Sequence, residues 1–341
     1  MEKAAKRPTA RQIANECGVS VATVSRVLNG NFKNGFSVRQ ELYDRITAIA
    51  DELGYRPNLA AQNLAQHRTN IIAFLGLNTS FGWPTNIYQL TCETTIRFFQ
   101  NKGYNICTAA PNLERDNTEL PPWRVDGVVV IQECSPETIE EMERTHLPYV
   151  VINGTGGPSC STVVPDDVDA TRRAMDHLLG LGHKSIAYAG PSVEHRHHAS
   201  IAQRHDTYLS VLKSCQLQPV LGYDQPFTSG LDFLVSAVLK QKATAIVAYD
   251  HVIAMKILHD ANILNIEIPK QVSLICFNDE KLCDLVVPPL TTVGVPSARM
   301  GMVAAEMLLK KIESPKEKSP SECVRLQEDL VIRASTAPPL S

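Results

Sequence analysis

Two short segments with helical patterning lie near the start of the chain, separated by a three-residue turn, and this spacing is the strongest constraint on the fold. Thr9 begins the first segment and forms a capping pattern with Gln12. Gly18 ends that segment, and Ser20 supplies a hydroxyl to cap the second, residues 21–28. A helix, a glycine-containing turn and a second capped helix are typical of the helix-turn-helix motif, whose second helix reads DNA.

The second segment has two different faces. Val24, Val27 and Leu28 recur at helical spacing, so we expect them to be buried. The opposite face carries small or hydrogen-bonding side chains and one arginine, Arg26. Such a face can lie close to a phosphate backbone and reach base edges. An ordinary amphipathic helix without a nucleic-acid partner is the alternative interpretation.

A third helix completes a small all-α head, which we place at residues 1–56. It is predicted to begin at Ser37, with a capping box to Gln40, and to run to Leu53, where Gly54 ends it. Up to residue 68 the chain holds ten Lys and Arg against six Asp and Glu, whereas the remainder holds 23 against 30. A basic head on an acidic body suits a head that meets nucleic acid.

Two motifs in this region carry a resemblance to a known family. The sequence GVSVATVSRVLNG at residues 18–30, followed by ELGYRPN at residues 52–58, resembles the lactose/galactose repressor (LacI/GalR) family of bacterial transcription regulators. The resemblance continues in HLLGLGH at residues 177–183 and PPLTTV at residues 288–293. It implies a sequence-specific transcriptional regulator, expected to be a repressor, that binds double-stranded DNA at a palindromic operator as a homodimer.

The resemblance and side-chain chemistry together assign roles in the head. Val21 and Ala22 would make apolar contacts to base edges, and Arg26 would bind a guanine as the one strong polar discriminator. The residues expected to hold phosphate or sugar are Thr9, Ser20, Thr23, Ser25, Asn29, Tyr55 and Asn58.

Residues 57–68 are predicted to be a hinge. Pro57 ends the head, and the alanine-rich residues 59–66 could form only about two helical turns, which are marginal in water. In the resembling family, hinge helices enter the minor groove and insert a leucine at the central base step. Leu64 has that position here, and Ala61 beside it would keep the approach close. A plain linker helix is the alternative.

The rest of the chain reads as an α/β body. Strands are predicted at residues 71–77, 127–131, 149–152, 185–189, 245–249 and 273–277. Helices are predicted at residues 87–101, 169–181, 201–215, 231–240, 252–261 and 297–312. Short apolar strands that alternate with helices indicate parallel sheets covered on both faces.

We expect this body, residues 69–336, to form two Rossmann-like parallel-sheet subdomains with a periplasmic-binding-protein-like fold. The first would comprise about residues 69–165 and 290–336, because residues 288–293 are expected to cross back to it. The second would comprise about residues 166–289. A ligand would lie in the cleft between them, at the carboxyl ends of the strands.

The resemblance places effector contacts in that cleft. They fall on Phe81, Trp83, Asp169, Arg204, Tyr249 and Asn278. Acceptors, an arginine and a stacking ring suit a sugar or sugar derivative. Tyr249 and Asn278 depart from the family's usual Asn and Asp, so a non-sugar ligand, or none, stays an alternative. A structural role in a loop is the other interpretation of each residue.

Other classes of function find little support in the sequence. We expect no enzyme, no cofactor and no metal, because no nucleophile–base pair is visible and the glycines of residues 154–157 lead into a proline. The histidines His195, His197, His198 and His205 have no acidic or cysteine ligands at metal spacing. The nine cysteines read as reduced thiols, and no apolar run is long enough to span a membrane. A bacterial cytoplasmic, nucleoid-associated location follows.

Two other functions are alternatives to a transcriptional regulator. A sugar-binding transport component would explain the body, but it would need export and would leave the head unexplained. An enzyme with a DNA-binding appendage would need a catalytic constellation that the sequence lacks.

Overall fold

A computed structural model of the chain describes residues 8–28, 30, 32, 35–56, 68–76, 87–108, 120–191, 198–220, 229–314 and 321–340. The chain divides into two compact units, the head (Met1–Thr69) and the body (Asn70–Ser341). Six of the predicted contact residues lie outside the described residues: Asn29, Asn58, Ala61, Leu64, Phe81 and Trp83.

The described part of the head contains helices α1 (Ala10–Cys17), α2 (Val21–Leu28) and α3 (Gln40–Glu52). The Thr9 side chain and Gln12 form the predicted capping box on α1. On α2, the hydroxyl oxygen of Ser20 accepts the Thr23 backbone N–H at 3.0 Å. The three helices share one hydrophobic core. Among its most deeply buried side chains are Ile13, Val24, Val27 and Ile46.

The predicted start of the third helix is wrong. Helix α3 begins at Gln40, and the residue before it, Arg39, is extended and gives no side-chain cap. The predicted capping box of Ser37 does not form, because Phe36 and Val38 pack against the head core and hold this segment outside the helix. The Gln40 side chain instead donates to Asp44 Oδ1 at 2.8 Å.

The first sheet of the body is wholly parallel, in the order β10-β5-β4-β3-β1-β2. Its strands are β1 (Ile71–Leu75), β2 (Asn105–Thr108), β3 (Gly127–Ile131), β4 (Tyr149–Ile152), β5 (Ser161–Pro165) and β10 (Cys323–Leu326). The helices of this subdomain are α4 (Tyr88–Asn101), α5 (Pro136–Arg144) and α11 (Ser297–Glu313). Helices α4 and α11 pack against each other and against one face of the sheet.

The second sheet has the order β11-β9-β8-β7-β6 and is parallel except for the β11–β9 pair. Its strands are β6 (Ile186–Ala189), β7 (Ala245–Ala248), β8 (Ser273–Phe277), β9 (Thr291–Gly294) and β11 (Asp329–Val331). The helices are α6 (Asp167–Gly180), α7 (Ala199–Ser214), α8 (Gly230–Leu234, continued as a π-helix over Val235–Lys240), α9 (His251–Ile263) and α10 (Lys281–Leu285). One face is covered by α6 and α7, and the other by α8 and α9.

The chain passes between the two sheets three times: after β5, between β9 and α11, and between β10 and β11. The predicted assignment of residues 290–336 to the first subdomain therefore needs correction. Strand β9 is buried and pairs with β8, and β11 pairs with β9, so both strands belong to the second sheet. The return to the first subdomain comes a few residues later than expected, at Val295 and Pro296, just before α11.

The contact between α4 and α11 depends on a glycine, which gives a test of this packing. At Gly301 a Cβ atom would overlap the Thr91 carbonyl oxygen and lie 2.8 Å from Thr95 Oγ1. Gly301→Ala should therefore lower the melting temperature, with a loss of about 1–3 kcal/mol in the free energy of unfolding.

Gly180→Ala is the matched control, because Gly180 also lies in a helix but has no atom within 4 Å of the added Cβ. Replacing a helical glycine there should leave stability unchanged or raise it by about 0.5–1 kcal/mol. Equal melting temperatures for the two variants, measured by circular dichroism, would contradict the close helix approach.

Candidate functional site

The outward face of α2 is as the sequence predicted. Ala22, Ser25 and Arg26 are exposed, and Val21 keeps 45% of its surface exposed. These four positions are contiguous on a helix of 3.6 residues per turn. The face is therefore free to approach a major groove, with one cation and otherwise small side chains.

The Arg26 side chain is supported by an aromatic group that sequence reasoning did not single out. Its guanidinium carbon lies 4.8 Å from the ring centre of Phe36. Phe36 stacks on Phe32, whose ring also lies near Tyr43, with centroid distances of 6.2 and 6.3 Å. A cation–π contact of this kind restricts the arginine rotamers. The signal was present in the sequence, because two phenylalanines in a short polar loop are unusual.

The other predicted head residues lie at helix ends or edges. The hydroxyls of Thr9 and Ser20 cap α1 and α2, so their oxygen atoms are next to the positive ends of the two helices. Helix N-termini of this kind bind phosphate. Thr23 and Tyr55 are half-buried, and Tyr55 packs on the head core.

In the body, a buried ion pair forms the centre of a second candidate site. The Nε of Arg204 donates to Asp167 Oδ1 at 2.5 Å, and both side chains are only 4% exposed. One terminal nitrogen of Arg204 also donates to the Tyr249 carbonyl oxygen at 2.8 Å. Burial lowers the pKa of the Arg204 guanidinium, but the charges of Asp167 and Glu328 outweigh this and raise it above its ordinary value.

Two of the predicted effector residues, Arg204 and Tyr249, are in contact at this pair, and a third, Asn278, is next in the chain to Phe277, which also contacts Arg204. The Arg204 guanidinium lies over the rings of Phe277, at 4.1 Å, and Tyr249, at 5.0 Å. Asn278 is the residue after Phe277 in the chain, and its backbone is left-handed (φ 69°). Its side-chain Oδ1 is buried and has no hydrogen-bond partner among the described residues. We call the group formed by Asp167, Arg204, Tyr249, Phe277, Asn278 and Glu328 the cleft site.

Asp169, which was predicted to contact an effector, has a different environment. Its carboxylate pairs with Arg173 at 2.8 Å and accepts from Gln327 at 3.5 Å, and it is 43% exposed. Two residues along a helix rotate a side chain by about 200°. Asp167, two residues earlier, therefore faces Arg204 while Asp169 faces away from it.

A chain of hydrogen bonds joins the two subdomains across the cleft. His198 Nε2 donates to the Asn153 carbonyl oxygen at 2.9 Å, so His198 Nδ1 accepts from the Ser200 hydroxyl at 2.7 Å. Ser200 in turn accepts from the Tyr249 hydroxyl at 2.8 Å. In the first subdomain, the side chain of the same Asn153 donates from Nδ2 to the Tyr88 hydroxyl at 2.7 Å. The cleft is thus closed by polar contacts in this structure.

Glu328 is the least satisfied group of the cleft site. It lies between β10 and β11, its side chain is fully buried, and neither carboxylate oxygen has a hydrogen-bond partner among the described residues. Burial raises its pKa to about 8; the charge of Arg204 lowers it, and the charges of Asp167, Asp166 and Asp169 raise it further. Near neutral pH this carboxyl group is therefore largely protonated.

Sequence reasoning missed several of these residues for identifiable reasons. Asp167 adjoins Asp166 after a buried strand, which is a position where ligands bind, so a signal existed. The sequence marks His198 only as one of a group of histidines that suggests a metal site. Asn153, Ser200 and Glu328 carry no local pattern that marks them.

Two further features of the described residues concern metal ions and membranes. Among the described residues, no group of three His, Cys, Asp or Glu side chains could hold a metal ion. His195 and His197 lie outside the described residues, while His198 serves the hydrogen-bond chain. None of the helices in the described ranges is long and apolar enough to cross a membrane.

Comparison with known families matches both units. The family profile described as bacterial regulatory proteins, lacI family, matches residues 9–58, and the profile of the periplasmic binding protein-like domain matches residues 175–336. Catabolite control protein A of Priestia megaterium is 28% identical over 342 residues, which cover 96% of this chain and 99% of the relative.

Solved structures agree with these matches. The lac repressor dimer bound to operator and the anti-inducer ONPF is similar with a TM-score of 0.77 at 21% identity, covering 97% of this chain and 100% of that chain. The complex of the transcriptional regulator CelR with cellobiose has a TM-score of 0.65 at 21% identity, covering 96% and 100%. The predicted fold class, a helix-turn-helix head with an α/β periplasmic-binding-protein-like body, is confirmed.

The raised pKa of Glu328 predicts a pH-dependent effect of Glu328→Gln on stability. The pKa of this group is about 8 in the folded chain and near 4.5 in the unfolded chain, so its favourable contribution is complete below about pH 4.5 and is lost as the pH rises to about 8. The variant carries no such loss, so its melting temperature should exceed that of the wild type increasingly from about pH 5 to pH 8.

The slope should approach about 1.4 kcal/mol per pH unit within this window and flatten above it. Asp329→Asn is the matched control, because it removes a carboxylate from the neighbouring, exposed position. A difference between Glu328→Gln and wild type that does not vary with pH would refute the buried, protonated state.

Proposed function

This chain belongs to the lacI family of bacterial regulatory proteins, and we propose that it represses transcription from a palindromic operator, to which it binds as a homodimer whose affinity is set by a small sugar. It is a DNA-binding transcriptional regulator and not an enzyme. The observation that carries the proposal is the exposed face of α2, which presents Arg26 between small side chains on a capped helix.

In the head, base reading depends on few groups. Arg26 donates to a guanine in the major groove. Val21 and Ala22 either contact a thymine methyl or, being small, allow the helix to lie close to the bases. Phosphate contacts come from Thr9, Ser20, Thr23, Ser25, Asn29, Tyr55 and Asn58. Because phosphate contacts position the head without specifying sequence, one half-site alone carries little information.

The hinge supplies the second DNA contact in this proposal. Leu64 inserts at the central minor-groove step, and Ala61 allows the close approach that this insertion needs. A two-turn helix is too short to be stable alone, so it folds only when docked on DNA beside its twin.

The homodimer is supported by apolar side chains left exposed on the second subdomain. Leu285, Val287 and Ile332 are 73%, 90% and 63% exposed. Helix α10 with the loop after it and the segment after β11 carry these side chains, and they are neighbours because Arg333 pairs with Asp284 at 3.6 Å. An exposed apolar patch of this kind marks an interaction surface. The lac repressor, which has a similar fold, is described as a dimer bound to operator.

The sugar effector is supported by the cleft site. Tyr249 and Asn278 offer a ring and an orphan amide oxygen at the carboxyl ends of strands β7 and β8, and Arg204 offers a donor from α7. Asp167, in contact with Arg204, takes the acidic role that Asp169 was expected to have, while Phe81 and Trp83 remain proposed contacts. The similar regulator CelR is described in complex with cellobiose.

The bacterial cytoplasm, at the nucleoid, is the place of action in this proposal, because operator DNA is there. Selection of genomic fragments by the purified protein tests it. Recovery of an inverted repeat near the gene that encodes the protein is the expected result. Recovery of random sequence would contradict the proposal and favour the sugar-binding transport role.

Arg26→Ala should relax the preference at one base position in each half-site of the selected repeat, with a loss of about 1–3 kcal/mol of binding free energy. The measurement is an anisotropy titration against the selected operator and against operators changed at single positions. Arg39→Ala, which removes the same charge from another exposed site in the head, is the control. It should leave base preference intact. If Arg26→Ala weakened all sequences equally, the base-reading role would be wrong.

A further inference from the structure

We propose that Glu328 contacts the effector directly and that the effector carries an ammonium group, an amino sugar being the simplest ligand of this class. The inference rests on the proposed function, because it takes the cleft site as the place where the effector binds. It adds a residue that neither the sequence motifs nor the family resemblance marked, and it narrows the ligand to one charge type.

The first observation is a buried carboxyl group that has no hydrogen-bond partner in the described part of the chain. The Glu328 side chain is fully buried, and both of its oxygen atoms lack a hydrogen-bond partner among the described residues. Buried carboxylate oxygens are almost always satisfied, because an unmade bond leaves the cost of desolvation uncompensated. A buried carboxyl group without a described partner, in electrostatic reach of Arg204 and Asp167, therefore points to a partner that the ligand supplies.

The second observation is the balance of charge around this glutamate. Arg204 is neutralised by Asp167, and Asp169 is neutralised by Arg173. Asp166, which caps α6 through the Asp169 N–H, adds a further negative charge. No cation in the described part of the site is left over for an anionic ligand. Toward these described groups a sugar phosphate or a uronate would be repelled, whereas a cation would be attracted.

The aromatic groups around Arg204 do not change this balance. Burial raises the pKa values of Tyr88, Tyr188 and Tyr249, so all three hydroxyls stay neutral in the physiological range. They can accept or donate hydrogen bonds to sugar hydroxyls, but they cannot offset a ligand's charge.

The third observation is the position of Glu328 in the fold. It lies in the segment that passes from the first sheet to the second, next to the first such crossing, where the Asp166 N–H donates to the Leu326 carbonyl oxygen at 2.8 Å. Glu328 thus lies two residues from the point where the two crossing segments are hydrogen-bonded to each other. Binding of a ligand to Glu328 would therefore bear on how the two subdomains close.

An ammonium group is a suitable partner for the Glu328 carboxyl group. It has three donors and a compact charge, so it can serve both oxygens of one carboxylate. Because the Glu328 pKa is raised to about 8 in the ligand-free protein, binding of a cation transfers the carboxyl proton to solvent. The exchange is balanced: the cleft gains the ligand's positive charge and loses one proton.

The test uses matched sugars with the full chain. Glucose, glucosamine and glucose 6-phosphate share one ring and differ in charge, and cellobiose and its diamino analogue form a second matched set. Thermal shift and calorimetry at about pH 6.5, where the amines are protonated, should rank an amino sugar about tenfold above its neutral counterpart. The phosphate should not bind.

Calorimetry in two buffers of different ionisation enthalpy gives an independent measure. Wild-type protein should release close to one proton for each amino sugar bound. Glu328→Gln should release none and should bind amino and neutral sugars equally, while Asp329→Asn behaves as the wild type does. The proton count and the ranking on wild-type protein keep the test valid even if the Gln variant folds poorly.

The outcomes separate this inference from the proposed function. Neutral sugars bound better than amino sugars, an unchanged preference in Glu328→Gln, or tight binding of the phosphate would each overturn the role of Glu328. Absence of binding by every member of both sets would overturn it too. Specific operator binding by the same preparation would leave the regulator role standing in all these cases.

Discussion

The body is arranged around the buried ion pair between Arg204 and Asp167. Two charges that are each 4% exposed are tolerated only because their hydrogen bonds are directed and their partners fixed. The pair ties the start of α6 to α7, and through the Tyr249 carbonyl oxygen it also ties α7 to the end of β7. Removal of either partner would leave a buried charge, at a cost of about 3–5 kcal/mol. The same pair fixes the rings of Tyr249 and Phe277 and sets the electrostatic field that Glu328 experiences.

In the proposed function, the sequence specificity of the head comes from few strong contacts. Arg26 is the only charged group on the exposed face of α2, and its cation–π contact with Phe36 limits where it can point. A single arginine per half-site discriminates one base position by about 1–3 kcal/mol. The spacing of two heads and the insertion of Leu64 must supply the rest of the specificity in this proposal. In the same proposal, control of the hinge by the body is the step at which regulation acts.

Local patterns in the sequence predicted the parts of this protein that depend on local physics. Ser20 and the face of α2 were found because caps and helical periodicity are short-range signals, and the core strands at residues 127–131 and 273–277 were found because they are continuous apolar runs. The start of α3 was missed because packing of Phe36 and Val38 outweighs the capping potential of Ser37. Strands β9 and β11 were assigned to the wrong subdomain because strand pairing is a long-range choice. In the cleft, Arg204 and Tyr249 came from the family resemblance, whereas Glu328 is defined only by tertiary burial.

The central claim is that occupancy of the cleft sets the affinity of the head for DNA. The most direct measurement is the operator dissociation constant of the full chain, determined by anisotropy with and without the sugar that raises its melting temperature most. Coupling between the two sites should change that constant by about 5- to 150-fold, and the operator should change the sugar affinity by the same factor. An operator affinity that stays constant while the sugar saturates the cleft would contradict the claim.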